Sequence, residues 1–136
     1  MRHNVIWPAL AVMLLAAGCG GGSHRALPVV PITERDFHIT VPPVIPAGDV
    51  RIVLTNKGPV THELIIVHAA PGRLPRRPDG FTIDEDALTP RIVGSFERDG
   101  PSTRNLVIHL TPGRYVIFCN MAGHAASGMT TSFRVR

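Results

Sequence analysis

From Pro28 onward the chain is written in short runs of alternating apolar and polar residues, the period-two pattern of half-buried strands. Phe37, Ile39 and Val41 alternate with His38 and Thr40. Val50, Ile52 and Leu54 alternate with Arg51, Val53 and Thr55, and Asn56-Lys57-Gly58-Pro59 then turns the chain. Residues 60–68, VTHELIIVH, are apolar on both faces, as expected for a strand inside a sandwich. Further strands are predicted at 92–96, at Leu106, Ile108 and Leu110, at 115–119, and at Thr131, Phe133 and Val135. About seven strands separated by turn signals predict an all-β sandwich. The exception is a Pro- and Arg-rich excursion over residues 70–90. Its one helical hint is Ile83-Asp84-Glu85-Asp86-Ala87-Leu88, where the acidic trio suits the start of a helical turn. No internal repeat is present.

Composition agrees with this pattern. A chain of 136 residues is one domain's worth, and 44% hydrophobic with 18% charged residues is enough for a core. Thirteen Pro and thirteen Gly favour turns over long helices. With 5% aromatic residues and a net charge of +4 from scattered arginines, clustered only at Arg73, Arg76 and Arg77, there is no nucleic-acid footprint. The basic surface could still steer an acidic partner. Two cysteines, Cys19 and Cys119, in unlike surroundings exclude a disulfide scaffold.

The amino terminus reads as a targeting segment. Met1-Arg2-His3 is a short positive start, and an apolar run from Val5 ends in Leu15-Ala16-Ala17-Gly18-Cys19. This ending resembles the lipobox of bacterial lipoproteins, although Leu is more usual where Ala16 stands. The expected organisation is a signal peptide at 1–18, lipidated Cys19 opening a flexible Gly-Gly-Gly-Ser tether at 19–27, and one domain at 28–136. A protein so exported would be periplasmic or otherwise extracytoplasmic, held to a membrane by its lipid. An ordinary cleaved signal leaves an exposed free thiol unexplained.

The chemistry gathers near the carboxyl end, where Cys119, His124 and Met129 stand at Cys-x4-His-x4-Met spacing in one loop. A thiolate, an imidazole and a thioether together select copper over the harder divalent ions, and zinc has little use for the Met. One more imidazole would complete the trigonal His2Cys plane with a weak axial Met, and His62 is the obvious donor. Singly, each residue has a plainer reading: Cys119 as a small core side chain, Met129 as packing, His62 and His124 as ordinary strand-end and loop histidines. His38 and His109 fall on faces opposite the apolar set and are expected in solvent, and Met121 lines the loop or packs beside the site. Hydrolase, nucleotide-binding and multicopper oxidase readings find neither a nucleophile elbow, a Gly-rich loop before a helix, nor further His-x-His sets.

NKGPVTHELIIV (56–67) and PGRYVIFCNMAGHAASGMTTSFRV (112–135) together resemble the two signature regions of the cupredoxins, the small blue copper proteins. The resemblance covers roughly residues 28–136, with 70–90 matching loosely. It implies a Greek-key β-sandwich of seven or eight strands. It also implies one copper ion cycling between Cu(I) and Cu(II), with His62, Cys119 and His124 as strong ligands and Met129 as the axial one. The residue after the first His is often Asn in the family, bracing the cysteine loop; here it is Glu63, a departure that bears on the reduction potential. The function implied is one-electron carriage by a non-enzymatic monomer. Its partner would be a redox protein such as a cytochrome or oxidase. The alternative is a copper-binding lipoprotein that buffers or delivers the metal.

Overall fold

The computed structural model describes residues 26–72 and 74–136. The expected signal peptide, Cys19 and most of the tether lie outside the described residues, as does Arg73. Among the described residues, nine strands form two facing sheets: β1 (Val29–Arg35), β2 (His38–Thr40), β3 (Val44–Ile45), β4 (Gly48–Asn56), β5 (His62–His68), β6 (Ile92–Arg98), β7 (Ser102–Leu110), β8 (Gly113–Cys119) and β9 (Thr130–Val135). One sheet runs β2-β1-β4-β7 and the other β3-β9-β8-β5-β6. Pairing is antiparallel except for β1 with β4 and β3 with β9, which are parallel. This is the all-β Greek-key sandwich expected. No helix among the described residues is long and apolar enough to cross a membrane.

Two strands exceed the expectation. β1 carries Pro31 in mid-run, a residue that argues against a strand at sequence level. β3 is two residues long, too short to show a period. The expected helical turn at 83–88 is shortened to one hydrogen-bonded turn, Leu88 N–H donating to Glu85 O at 2.8 Å. Ile83 instead bridges Arg76, and its N–H donates to the Asn120 side chain. That turn runs on into a 3-10 turn at Thr89–Arg91 with a Pro in its first positions.

Alternation sorts the apolar residues into two clusters. Inward rows of both sheets, among them Ile32, Leu54, Leu64, Ile66, Tyr115 and Ile117, fill the sandwich core. The outward row of the second sheet, Ile65, Val67, Val116 and Phe118, is buried as well, under Ile83 and Leu88 of the excursion and Ala125. The two-faced apolarity of VTHELIIVH therefore has a cause: the excursion is the lid of a second, thinner core. Tyr115 is wholly buried and donates its hydroxyl to the Thr111 carbonyl at 2.9 Å, a partner such a hydroxyl requires. His38 and His109 are exposed, as expected, and His109 meets Asp49 at 2.7 Å.

The excursion is tied down by Asn120. Its carbonyl oxygen accepts from Ile83 N–H at 2.7 Å, and its amide donates to Ile83 O at 3.2 Å and to Glu85 Oε1 at 2.6 Å. Asn120→Ala removes all three bonds and leaves a buried N–H without an acceptor. The expected cost is about 1–3 kcal/mol of stability, with faster amide exchange at Ile83; hydrogen exchange followed by mass spectrometry reads both.

One residue of the inward rows breaks the apolar rule. Val30, Ile32 and Glu34 share a row, and Glu34 is as buried as the other two, with neither carboxylate oxygen meeting a donor. Burial raises its carboxyl pKa from 4.5 to about 7, against the pull of the Arg98 charge. Folding therefore tightens proton binding. The stability this contributes is complete below about pH 4.5 and is lost as pH rises through about 7, roughly 3 kcal/mol in all. Denaturant unfolding of the copper-free protein at pH 5 and pH 8.5 should show that loss relative to Glu34→Gln. Parallel pH curves for the two proteins would refute it.

Candidate metal centre

β5 and β8 pair with Leu64 opposite Cys119. His62 precedes Leu64 on the same inward row of β5, and Cys119 ends the inward row of β8. Both side chains thus emerge at one end of the sandwich, on a floor of core residues. Beyond Cys119 the chain leaves the sheet and returns at once: Cys119 N–H donates to Met129 O, and Asn120 N–H to Glu63 O, each at 3.0 Å. Within the returning loop, His124 N–H donates to Met121 O and Met129 N–H to His124 O, again at 3.0 Å. Gly123 and Gly128 hold φ values of 84° and 99°, with open space where a Cβ would stand. Backbone conformation, and not room, is what reserves those positions for glycine.

The result is a tight triangle of donor atoms. His62 Nδ1 and His124 Nδ1 are 3.3 Å apart, and Cys119 Sγ lies 3.8 Å from the first and 3.3 Å from the second. A point equidistant from all three is about 2 Å from each, the length of a transition-metal bond to imidazole. His62 and Cys119 are fully buried, and His124 is the member that solvent reaches. The Met129 side chain is buried in the core cluster that includes Cys119. Met121 also packs against that cluster, partly buried. All four residues singled out by spacing are therefore at one end of the fold. The triangle, of two imidazoles and one sulfur, fits a copper ion.

Without a cation the surroundings hold Cys119 as a thiol, so a bound metal would have to offset the burial of the thiolate. Burial raises the Cys119 thiol pKa, while backbone amides of Met121 and Glu63 lower it; Glu63 N–H lies 3.4 Å from the sulfur. Burial, then the neighbouring His124, lowers the His62 pKa against the opposing pull of Asp36, which favours the neutral ring that a metal requires. On its far side, His62 Nε2 stands 3.5 Å from Asp36 Oδ1, just beyond hydrogen-bond length. A carboxylate behind a ligating imidazole is the usual means of orienting it. Asn56 braces the turn that delivers His62, donating to Val60 O at 2.7 Å and accepting from Gly58 N–H at 2.9 Å.

Several of these neighbours carry little signal in the sequence. Asp36 and Phe37 sit in the tight turn between β1 and β2, Phe37 at φ 63°, with its ring edge-on to His124 at 5.3 Å between centroids. Their only sequence signal is the polar break Glu34-Arg35-Asp36 between two apolar runs. Nothing in the sequence brings the excursion to the site, yet Gly123 N–H donates to Phe81 O at 3.1 Å. At Glu63 it is the main chain that braces the cysteine loop: its N–H faces the sulfur and its carbonyl holds Asn120 N–H.

Comparison with known proteins agrees with the geometry. The sulfocyanin (SoxE) domain family matches residues 33–135. Among solved structures, auracyanin from Roseiflexus castenholzii superposes with a TM-score of 0.59 at 16% identity, over 82% of this chain and 99% of that one. Rusticyanin from Thiobacillus ferrooxidans superposes with a TM-score of 0.53 at 25% identity, over 82% and 79%. Auracyanin A from Chloroflexus aurantiacus, a "blue" copper protein, reaches 0.53 at 18% identity, over 78% and 99%. No curated protein sequence matches the chain. With the fold, the donor triangle and a family match over most of its length, this chain belongs to the sulfocyanin (SoxE) family of cupredoxins, blue copper electron-transfer proteins whose cofactor is one copper ion.

Proposed function

We propose that the protein is a lipid-anchored, extracytoplasmic carrier of single electrons, with His62, Cys119 and His124 as the strong copper ligands and Met129 as the weak axial one. The donor triangle carries this reading. When bound, copper supplies a one-electron couple; the chain's task is to hold one ligand set that suits both oxidation states. Buried His62, Cys119 and Met129 keep water away, and the hydrogen-bonded loop between Cys119 and Met129 resists rearrangement. The Glu63 amide favours negative charge on the sulfur.

Electron exchange is assigned to the half-buried edge of His124. Phe37 packs on it, and Phe37, Val60 and Phe81 are 50%, 43% and 62% exposed. Together they offer an apolar rim against which a redox protein, such as a cytochrome or oxidase, can exclude water. The protein is read as a monomer. Its organisation is a signal peptide at 1–18, a tether at 19–27 and the copper domain at 28–136. The lesser reading, metal buffering or delivery, calls for a site that releases copper readily, and a core-buried thiolate within a pinned loop opposes that.

The deciding experiment is the absorption and electron paramagnetic resonance spectrum of the copper-loaded protein. An intense visible thiolate-to-copper band is expected, and Cys119→Ser should abolish it while the apolar core keeps the domain folded. Met129→Leu should retain copper and raise the reduction potential, because a donor favouring Cu(II) is lost; Met121→Leu should change it far less. The reverse pattern in voltammetry would make Met121 the axial ligand.

Cys19→Ser should release the protein from membranes without altering its spectrum, since the lipid supplies the anchoring. Membrane fractionation after a high-salt wash tests this. Retention of the variant would favour an uncleaved signal anchor.

A further inference from the structure

We propose that Glu34 is a proton-binding site coupled to the copper centre, its carboxylate taking up one proton as the centre is reduced and releasing it on oxidation. This rests on the copper assignment above. Glu34 occupies the inward row of β1 opposite Asn56 of β4 and is fully buried, with both oxygens unpartnered. A second orphan lies nearby in the same interior: Arg98 Nε on β6 is buried without an acceptor, and Arg98 stands opposite His62 in the strand register. A structural ion pair would close its hydrogen bonds, because a buried charge left unpaired is costly. This pair leaves them open.

The charged and titratable groups acting on Glu34 are Arg98 from β6 and Cys119 from β8. β4 presents the neutral Asn56, whose side chain is engaged by Val60, Arg98 and Gly58, and β2 pairs the apolar Ile39. Glu34 thus has one attractive charge near it and, across the core, the sulfur of the proposed ligand set. Its negative charge raises the thiol pKa of Cys119. By linkage, negative charge gained at the sulfur end of the site raises the proton affinity of Glu34 in turn. Reduction makes that site more negative by one unit. The carboxyl, already pushed up to about 7 by burial, then binds its proton more tightly.

The balance is one electron and one proton. The electron comes from the donor protein and enters the centre; the proton comes from solvent and converts the Glu34 carboxylate to a carboxylic acid. Oxidation returns both. Far below the titration window Glu34 is protonated in both states, and far above it is ionised in both, so coupling is confined to the interval between.

Voltammetry of the copper-loaded protein from pH 5 to pH 9 is the test. Within the window the reduced-to-oxidised ratio at fixed applied potential should fall with rising pH, by at most tenfold per pH unit, or about 59 mV for one electron. Glu34→Gln should remain at the acid-limit potential with that slope removed. Arg98→Gln, which removes the attractive charge and leaves the carboxyl, should move the window to higher pH and serves where the first variant folds poorly. Carbon-13 resonances of the Glu34 carboxyl should titrate higher in the Cu(I) protein than in the protein loaded with Zn(II), a diamagnetic ion that gives the site the charge it has with Cu(II). A blue protein whose potential is flat over this range, or whose slope survives Glu34→Gln, overturns the proposal and leaves the copper site intact. A copper-loaded protein without the intense visible band overturns both.

Discussion

The centre depends first on the pairing of β5 with β8 in a single register. With Leu64 opposite Cys119, His62 and Cys119 share the face that looks into the sandwich. A slip of one residue would turn the Cys119 row outward and bring Val116 and Phe118 inward. The slip is opposed on both sides of the sheet, because the outward rows are buried too. A strand packed on two faces has no spare face to rotate into. The second core under the excursion therefore fixes the positions of two donor atoms that it does not touch.

The third corner of the triangle, His124, and the proposed axial Met129 come from a loop that cannot drift far. It leaves β8 at Cys119 and enters β9 at Thr130, and the first and last residues of that span are hydrogen-bonded to each other through Cys119 N–H and Met129 O. His124 lies midway and is bound back to both Met121 and Met129 through the main chain. Asn120 and Gly123 fasten the same loop to residues 81–85. The excursion is thus part of the ligand loop's support, and Glu85 completes the Asn120 clip.

Much of this arrangement is legible in the amino-acid sequence. Period-two alternation identifies most strands, and Cys-x4-His-x4-Met with an upstream His identifies the residues that converge, because strand register and loop closure act through local sequence. What stays hidden is set by contacts distant along the chain. Pro31 disguises β1, and with β1 unread, Glu34 cannot be assigned to an inward row. Asp36 and Phe37 meet the two histidines only through the packing of one sheet on the other. The helical hint at 83–88 survives only as the turn at 85–88, because Ile83 commits its backbone to Arg76 and Asn120, a tertiary demand that outweighs a weak local preference.

Among the described residues, the buried polar or charged side chains are Glu34, Asn56, His62 and Asn120. All four belong to the metal end, and the rest of the interior is apolar. Asn56 braces the turn before His62, Asn120 clips the excursion to the loop after Cys119, and His62 offers a donor nitrogen. Each of these offsets its desolvation with a hydrogen bond or the prospect of a metal bond. Glu34 does neither. A Leu or Met in its place would extend the Val30–Ile32 row without a desolvation cost, and the fold would give up only the attraction between Glu34 and Arg98. A group that burdens the fold and sits at the metal end is explained by what happens there, and a centre that changes charge by one unit gives a neighbouring carboxyl something to answer.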